Sequence, residues 1–176
     1  MINFKADVFK IGSWTLLVLP ESASKHLSSR GMVLVEGTIN GHRFKKPLEP
    51  DGRGSHWLAI DQAMQKAAGI SAGDTAELKV EQSKDWPEPT LPKDVAEALA
   101  KAPDVQELWA DITPAARWDW LRWIASTGKS ETRAKHIKVA FSKLRNGTRR
   151  PCCFNRALST VPEVSKGGAL LEPVNN

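Results

Sequence analysis

The chain has 176 residues, 41% hydrophobic and 26% charged, with a formal net charge of +5. This length suits one ordinary domain or two small ones, and the composition excludes a disordered or fibrous protein. Residues 129–150 contain eight Lys or Arg and one Glu, a balance of +7, whereas residues 1–128 contain fifteen basic and seventeen acidic residues, a balance of −2. Either an anionic partner or a solvated helix face would explain this asymmetry.

The sequence contains no recognisable targeting or membrane-spanning segment. The apolar run 14–19 is shorter than the ~20 residues of a membrane span, and it lacks the basic start and the cleavage site of a signal peptide. The adjacent Cys152 and Cys153 cannot by themselves staple distant elements or complete a zinc site. We therefore expect a cytoplasmic protein without a metal ion or cofactor.

The N-terminal half is predicted to form short strands. Residues 75–82 alternate regularly between apolar and polar side chains, which is typical of a strand with one buried face. Asn40 and Gly41 form the strongest hairpin signal, because a tight primed turn requires positive φ angles. This turn is expected to join strands over residues 32–39 and 42–48.

The order strand–strand–helix–strand occurs twice in this half, with an offset of about forty residues. Pro20 is suited to open the first short helix, while Asp61 caps the second and Gly69 ends it. Two such halves that pair their strands would close a small barrel, and closure removes exposed strand edges. We therefore predict a β-barrel over residues 1–82.

A proline-rich linker over residues 83–92 is predicted to precede a helical module over residues 93–147. The module should contain four helices, at residues 93–101, 104–111, 114–126 and 131–144. Thr113 and Ser130 are candidate N-caps. Residues 148–176 lack sustained periodicity and are expected to be an irregular tail, so the predicted class is α+β.

The sequence resembles a combination of two bacterial families. The resemblance to the C-terminal module of the bacteriocin-protection (YdeI/OmpD-associated) family rests on a Trp-rich helix followed by SETRAKHIKVAFSKLRNG. The resemblance to DUF1905, a domain of unknown function that often precedes this module, rests on LPESASKHL, VEGTINGHRF and PDGRGSHWLAI. His136 departs from the family pattern, which has Arg at this position.

This resemblance implies a double-split β-barrel, AbrB/MazE-like in fold, for the N-terminal domain. It also implies a bacterial source and a link to bacteriocin tolerance, which is a phenotype and not a chemistry, and it brings no catalytic residues with it. The similarity of such barrels to antitoxin-like and transition-state-regulator DNA-binding proteins is an analogy of fold alone.

The Gly-rich loop 52–56 is the most site-like segment of the barrel. Its glycines would let backbone N–H groups approach an anion, and Arg53 can bind a carboxylate or phosphate in a forked geometry; a plain turn is the alternative. Arg43 on a neighbouring strand would add positive charge. His56 could form a general acid/base pair with a nearby carboxylate, although scattered histidines are more often structural.

The helical module offers Trp120, Trp123 and Arg133 as binding residues. The indoles could stack on bases or sugars, although a Trp stripe at helical spacing is more often core. Arg133 could bind an anion or pair with a structural carboxylate. The predicted ligand-binding residues are thus Arg43, Arg53, His56, Trp120, Trp123 and Arg133.

These observations predict a non-enzymatic binding protein, monomeric or weakly dimeric, that recognises an anionic ligand or a protein partner. A nucleic-acid-binding regulator is the first alternative, and its contacts would come from the basic helix through Lys135, Lys138, Lys143 and Arg145. An uncharacterised enzyme with a site near His56 is the second alternative.

Overall fold

Six strands and two short helices occupy the N-terminal part of the computed structural model. The strands are β1 (Ile2–Ile11), β2 (Trp14–Val18), β3 (Val33–Ile39), β4 (His42–Pro50), β5 (His56–Ala59) and β6 (Thr75–Ser83). The helices are α1 (Glu21–Ser24) and α2 (Gln62–Ala68). All strand pairs are antiparallel and close a barrel in the order β1-β2-β5-β4-β3-β6. The structure describes residues 1–126, 130–151 and 155–173, and of Ser130 only the backbone.

The predicted repeat is confirmed, since β1-β2-α1-β3 is followed by β4-β5-α2-β6. Exchanging the two halves maps every neighbouring pair of strands in the barrel onto another neighbouring pair. The topology therefore has a twofold pseudosymmetry, with β2 against β5 and β3 against β6. The barrel and the α+β class are confirmed, while the finer assignment as a double-split barrel stays a prediction.

Local signals position these elements as expected. Asn40 and Gly41 have φ angles of 46° and 82°, as a primed hairpin turn requires. The carboxylate of Asp61 accepts a hydrogen bond of 2.9 Å from the backbone N–H of Met64, which caps α2. Gly69 ends that helix in the left-handed conformation, with φ of 64°.

The barrel interior is filled by aliphatic side chains from alternate strand positions. The strand residues of this core are Ala6, Val8, Leu17, Val33, Val35, Ile39, Leu48, Leu58, Ala76, Leu78 and Val80. Gly37 occupies an inward position between Val35 and Ile39, where β3 lies against β6. A Cβ atom at Gly37 would lie 1.9 Å from the carbonyl oxygen of Lys79, so only glycine permits this approach of the two strands.

The four predicted helices are confirmed, and each of their ends lies within one residue of the expected position. They are α3 (Lys93–Ala100), α4 (Pro103–Asp111), α5 (Pro114–Ala125) and α6 (Ser130–Arg145). Thr113 caps α5 by accepting a hydrogen bond of 3.1 Å from Ala116 N. The Ser130 side chain, the other predicted cap, lies outside the described part of the chain. Among the described residues, no helix is both long enough and apolar enough to cross a membrane.

Residues 86–88 of the proline-rich segment pack against α5. The rings of Trp86 and Trp118 lie 5.7 Å apart between centroids. Arg117, which is buried, donates a hydrogen bond of 2.5 Å to the carboxylate of Glu88. Prolines therefore end the regular structure here, but aromatic and ionic contacts hold the segment in place.

The tail departs from the predicted irregular conformation. It contains two short strands, β7 (Ser165–Lys166) and β8 (Ala169–Leu170). Gly167 and Gly168 connect them with φ angles of 63° and 83°, a two-residue hairpin turn that glycine allows. Leu170 N donates a hydrogen bond of 2.9 Å to Asp51 O, so this hairpin contacts the loop between β4 and β5.

Residue contacts divide the chain into two units. The first contains the barrel, Met1–Asp85, and residues 155–159 and 163–173 of the described tail. The second contains the helices from Trp86 onward and Thr160–Pro162. The chain thus leaves the barrel unit, forms the helical unit and then returns to the barrel unit.

Candidate functional site

A groove of ≈ 690 Å³ lies on the outer face of β3, β4 and β6. Its charged and polar lining comes from alternate residues of these strands, which point away from the barrel interior. These residues are Glu36, Thr38, Arg43, Lys45, Lys79 and Glu81. Met1 adds apolar surface to the same groove, whereas the side chain of Phe44 packs against the barrel core.

One end of the groove is a row of two cations around a hydroxyl group. In the strand register, Thr38 lies opposite Arg43 on one side and opposite Lys79 on the other. We call Arg43, Thr38 and Lys79 the cationic row. Since neighbouring strands are about 4.8 Å apart, the Cα atoms of the two cationic residues are about 10 Å apart. Among the described residues, none forms a hydrogen bond or an ion pair with these three side chains.

A second row lies two residues along the strands and carries negative charge. Glu36 is opposite Lys45 on one side and opposite Glu81 on the other, and we call these three residues the acidic row. The Lys45 ammonium donates a hydrogen bond of 2.9 Å to the carboxylate of Asp85, which lowers the pKa of Asp85. Within the described chain, neither Glu36 nor Glu81 has an ion-pair partner. Two carboxylates directly opposite each other in an antiparallel pair are destabilising.

Arg53 lies apart from this groove and lines a cavity of ≈ 270 Å³ with residues of the tail. Its guanidinium is paired with the carboxylate of Glu172. The backbone N–H groups of Arg53 and Ser55 donate to the carboxylate of Asp51, at 2.8 and 2.9 Å. The N–H groups and the guanidinium of the Gly-rich loop are therefore engaged by carboxylates of the chain itself, those of Asp51 and Glu172.

His56 is 0% exposed and belongs to a buried polar network. Its Nε2 lies 2.8 Å from Gly31 O and its Nδ1 lies 2.7 Å from Ser24 Oγ. Because a carbonyl only accepts hydrogen bonds, Nε2 carries the proton and Nδ1 accepts from the Ser24 hydroxyl. Arg30 completes the network by donating to Ser24 Oγ at 3.1 Å.

The enzyme alternative thus has no solvent-facing base at His56, since both ring nitrogens are occupied inside the barrel unit. Residues 1–126, 130–151 and 155–173 also contain no group of three or more His, Cys, Asp or Glu placed to hold a metal ion. Cys152 and Cys153 lie outside the described residues. His56 is a structural residue in this arrangement.

The stability of the barrel unit is expected to fall as the pH drops below 6.5. Burial lowers the pKa of His56 from its ordinary 6.5, and the charge of Arg30 acts in the same direction, against opposing effects of the Gly31 carbonyl and Asp51. The folded state therefore binds this proton more weakly than the unfolded chain. The associated stability is complete above pH 6.5 and is lost as the pH falls through the lowered pKa, by at most about 1.4 kcal/mol per pH unit.

Urea unfolding between pH 7.5 and pH 5 measures this effect. The carboxyl groups with a lowered pKa, which are those of Asp61, Asp85, Asp94 and Asp104, lose their contribution only below 3.8. In His56→Gln, the unfolding free energy should depend less on pH over this range. Equal slopes in variant and wild type would contradict the prediction.

In the helical unit, Trp120 is a core residue. It is 0% exposed, and its indole N–H donates a hydrogen bond of 3.0 Å to Arg149 O. Trp123 is half-buried and lies perpendicular to Trp120, with ring centroids 6.1 Å apart. It is also stacked on His136 at 4.4 Å. Trp120 is therefore not available to stack on a ligand, and one ring face of Trp123 is covered by His136.

Arg133 is held by a carboxylate of the same unit. Its Nε donates to Asp94 at 2.5 Å and its Nη2 at 3.1 Å, a bidentate pair that lowers the pKa of Asp94. Arg145 binds Asp104 in the same manner, at 2.7 and 3.3 Å. Ion pairs also join Arg149 to Asp111 and Arg150 to Asp119. Much of the excess positive charge in residues 129–150 is therefore balanced by carboxylates of other helices.

The nucleic-acid set is reduced by these pairs to three lysines of α6. Lys135 and Lys138 are exposed, Lys143 is half-buried, and none of the described residues forms an ion pair with them. Arg145, the fourth member, is engaged by Asp104. Three cations on one helix give a weaker electrostatic footprint than the net charge of the segment indicated.

Comparison with family models identifies both parts of the chain. Residues 4–80 match the domain of unknown function DUF1905. Residues 88–147 match the family described as bacteriocin-protection, YdeI or OmpD-associated. The first match covers the barrel strands and the second covers the four helices. The resemblance seen in the sequence is thereby confirmed; no curated protein matches the chain.

The groove lies almost entirely within the DUF1905 domain, which includes five of its six polar lining residues. Of the predicted ligand-binding residues, only Arg43 lines it. Lys79 and Thr38 were missed, as were Glu36 and Glu81. The Asn40-Gly41 hairpin sets Thr38 opposite Arg43, so this pair could have been predicted from the sequence. The position of Lys79 beside Thr38 could not, because it depends on the pairing of β6 with β3 when the barrel closes.

Proposed function

We propose that the protein is a non-enzymatic bacteriocin-protection protein whose DUF1905 barrel binds a small anionic ligand in the groove. The observation that carries this proposal is the cationic row, in which Arg43 and Lys79 flank Thr38 without ion-pair partners among the described residues. A cytoplasmic location and a monomeric or weakly dimeric state belong to the same proposal.

The cationic row suits a carboxylate or phosphate. The two cations repel each other across Thr38, and an anion between them would replace that repulsion with attraction to both. A guanidinium group binds such oxygens in a forked geometry, and the hydroxyl of Thr38 can donate a further hydrogen bond. Exposed ion pairs are each worth about 0.2–1 kcal/mol, so the Kd for a simple anion should be roughly 10 mM or higher.

A small ligand is favoured over a protein partner by the surface of the barrel. Closure leaves no free strand edge to which a peptide strand could add. Within the described residues, the only exposed large hydrophobic side chains are those of Met1, Val139, Leu158 and Leu171. Protein interfaces usually need a cluster of apolar or aromatic anchors. Binding of nucleic acid has less support, because Arg133 and Arg145 of α6 are already paired with carboxylates of the chain.

Removing either cation of the row is expected to weaken anion binding. Titration of ¹⁵N-labelled protein with hexanoate at low ionic strength should shift the amide signals of the groove strands and saturate. Arg43→Gln and Lys79→Gln should each raise the Kd by up to about fivefold, which corresponds to about 1 kcal/mol.

Lys66→Gln is the matched control, because Lys66 is exposed on α2, outside the groove. This variant should bind hexanoate as the wild type does. Shifts that are absent from β3, β4 and β6, or that persist unchanged in both groove variants, would show that the proposal is wrong.

A further inference from the structure

The groove presents two charges of opposite sign that do not neutralise each other. The acidic row lies two residues from the cationic row along each strand, about 6.8 Å at 3.4 Å per residue. Arg43 and Lys79 are nevertheless not ion-paired with Glu36 or Glu81 in the described structure. Both ends of the groove therefore keep their charge available to a ligand.

Lys45 is the cation that would be expected to neutralise the acidic row. It lies directly opposite Glu36, but its ammonium group is hydrogen-bonded to Asp85, which does not line the groove. The two remaining members, Glu36 and Glu81, face each other across β3 and β6. An ammonium group between these carboxylates would relieve their repulsion, as an anion would relieve the repulsion in the cationic row.

We infer that the ligand is a zwitterion with its anionic and cationic groups about 7 Å apart. Its carboxylate binds the cationic row, and its ammonium group binds Glu36 and Glu81. Met1, which also lines the groove and is exposed, provides apolar surface for a methylene spacer. An ω-amino acid or a short peptide has this chemistry. A dianion of similar length is disfavoured, because its second charge would face the acidic row.

This inference rests on the proposed function. Two ligands with the same six-carbon chain test the inference and the proposed function separately. Hexanoate carries the anionic group alone, whereas 6-aminohexanoate also carries an ammonium group about 7 Å away. In NMR titrations at pH 7, the wild type should bind 6-aminohexanoate about tenfold more tightly than hexanoate. The double variant Glu36→Gln/Glu81→Gln should bind both ligands with equal affinity. Glu21→Gln, which removes an exposed carboxylate on α1 outside the groove, should preserve the wild-type preference.

The outcomes show separately whether the ligand is a zwitterion and whether the groove binds an anion at all. If the wild type binds both ligands equally and Arg43→Gln weakens both, the zwitterion is wrong and the anion site stands. If neither ligand shifts the groove signals, or if Arg43→Gln changes nothing, both proposals are wrong. If the preference for 6-aminohexanoate persists in the double variant, its ammonium group binds elsewhere and the inference is overturned.

Discussion

Replacing Gly37 by alanine should destabilise the barrel by about 3 kcal/mol, the upper range for overpacking in a well-packed interior. The new Cβ would lie 1.9 Å from Lys79 O and 2.8 Å from Val80 Cα, which are backbone atoms and cannot rotate away. Strands β3 and β6 would have to separate, and hydrogen bonds between them would be lost. Urea unfolding followed through barrel amide signals measures the loss.

Thr38→Ala provides the matched control. Thr38 is the next residue on β3, but its side chain points outward and lines the groove. We expect this variant to lose less than about 1 kcal/mol, chiefly through the lower β-propensity of alanine. A loss below about 1 kcal/mol in Gly37→Ala would mean that β6 moves away easily, and the argument from close strand approach would be wrong.

Replacing Trp120 by alanine should destabilise the helical unit by about 3–5 kcal/mol. Trp120 is 0% exposed, so its removal creates a cavity in the core between α3, α4, α5 and α6. The variant also removes the donor to Arg149 O and the perpendicular ring contact with Trp123. The measurement is the urea midpoint of the helical far-UV signal.

Trp118→Ala is the control for the loss of an indole from the same helix. Trp118 is half-buried and contacts Trp86, and its indole N–H donates to Pro87 O at 2.8 Å. Losing these contacts should cost about 1–2 kcal/mol. If Trp118→Ala were as damaging as Trp120→Ala, the proline-rich segment and not the core around Trp120 would be the main support of the helical unit.

Much of the fold follows from signals that act over a few residues. The Asn40-Gly41 turn, the Asp61 cap and the Thr113 cap each depend on local backbone geometry, and the structure has all three. The repeated strand order also made a barrel predictable. The pairing of β6 with both β1 and β3 could not be assigned from the sequence, because it joins segments far apart in the chain.

The site was harder to predict, because charges that are far apart in the sequence can lie next to each other in the fold. Arg133 and Arg145 contribute to the +7 of residues 129–150, but their carboxylate partners are 39 and 41 residues away. Packing of the helices brings these opposite charges together. The cationic row is the converse case, because Lys79 lies in a segment of balanced charge and joins Arg43 only when β3 separates them.

The Gly-rich loop shows the same limit for a motif. Its glycines and Arg53 led us to predict an anion site, and in the structure backbone N–H groups of the loop bind the carboxylate of Asp51. The sequence alone could not say that Glu172, in the tail, binds the guanidinium of Arg53. The tail hairpin turns at Gly167 and Gly168. Its strands have only two residues each, so they show no periodicity by which the sequence would predict them.

The return of the tail to the barrel unit has a consequence for the order of folding during synthesis. All six barrel strands precede Lys84, whereas the tail residues that contact the loop at Asp51 come more than 80 residues later. At about 5–20 residues per second, the ribosome needs roughly 4–16 s to make that intervening chain. The nascent barrel must therefore tolerate an uncovered Gly52–Ser55 loop for seconds, and the tail completes a domain whose strands are already available to pair.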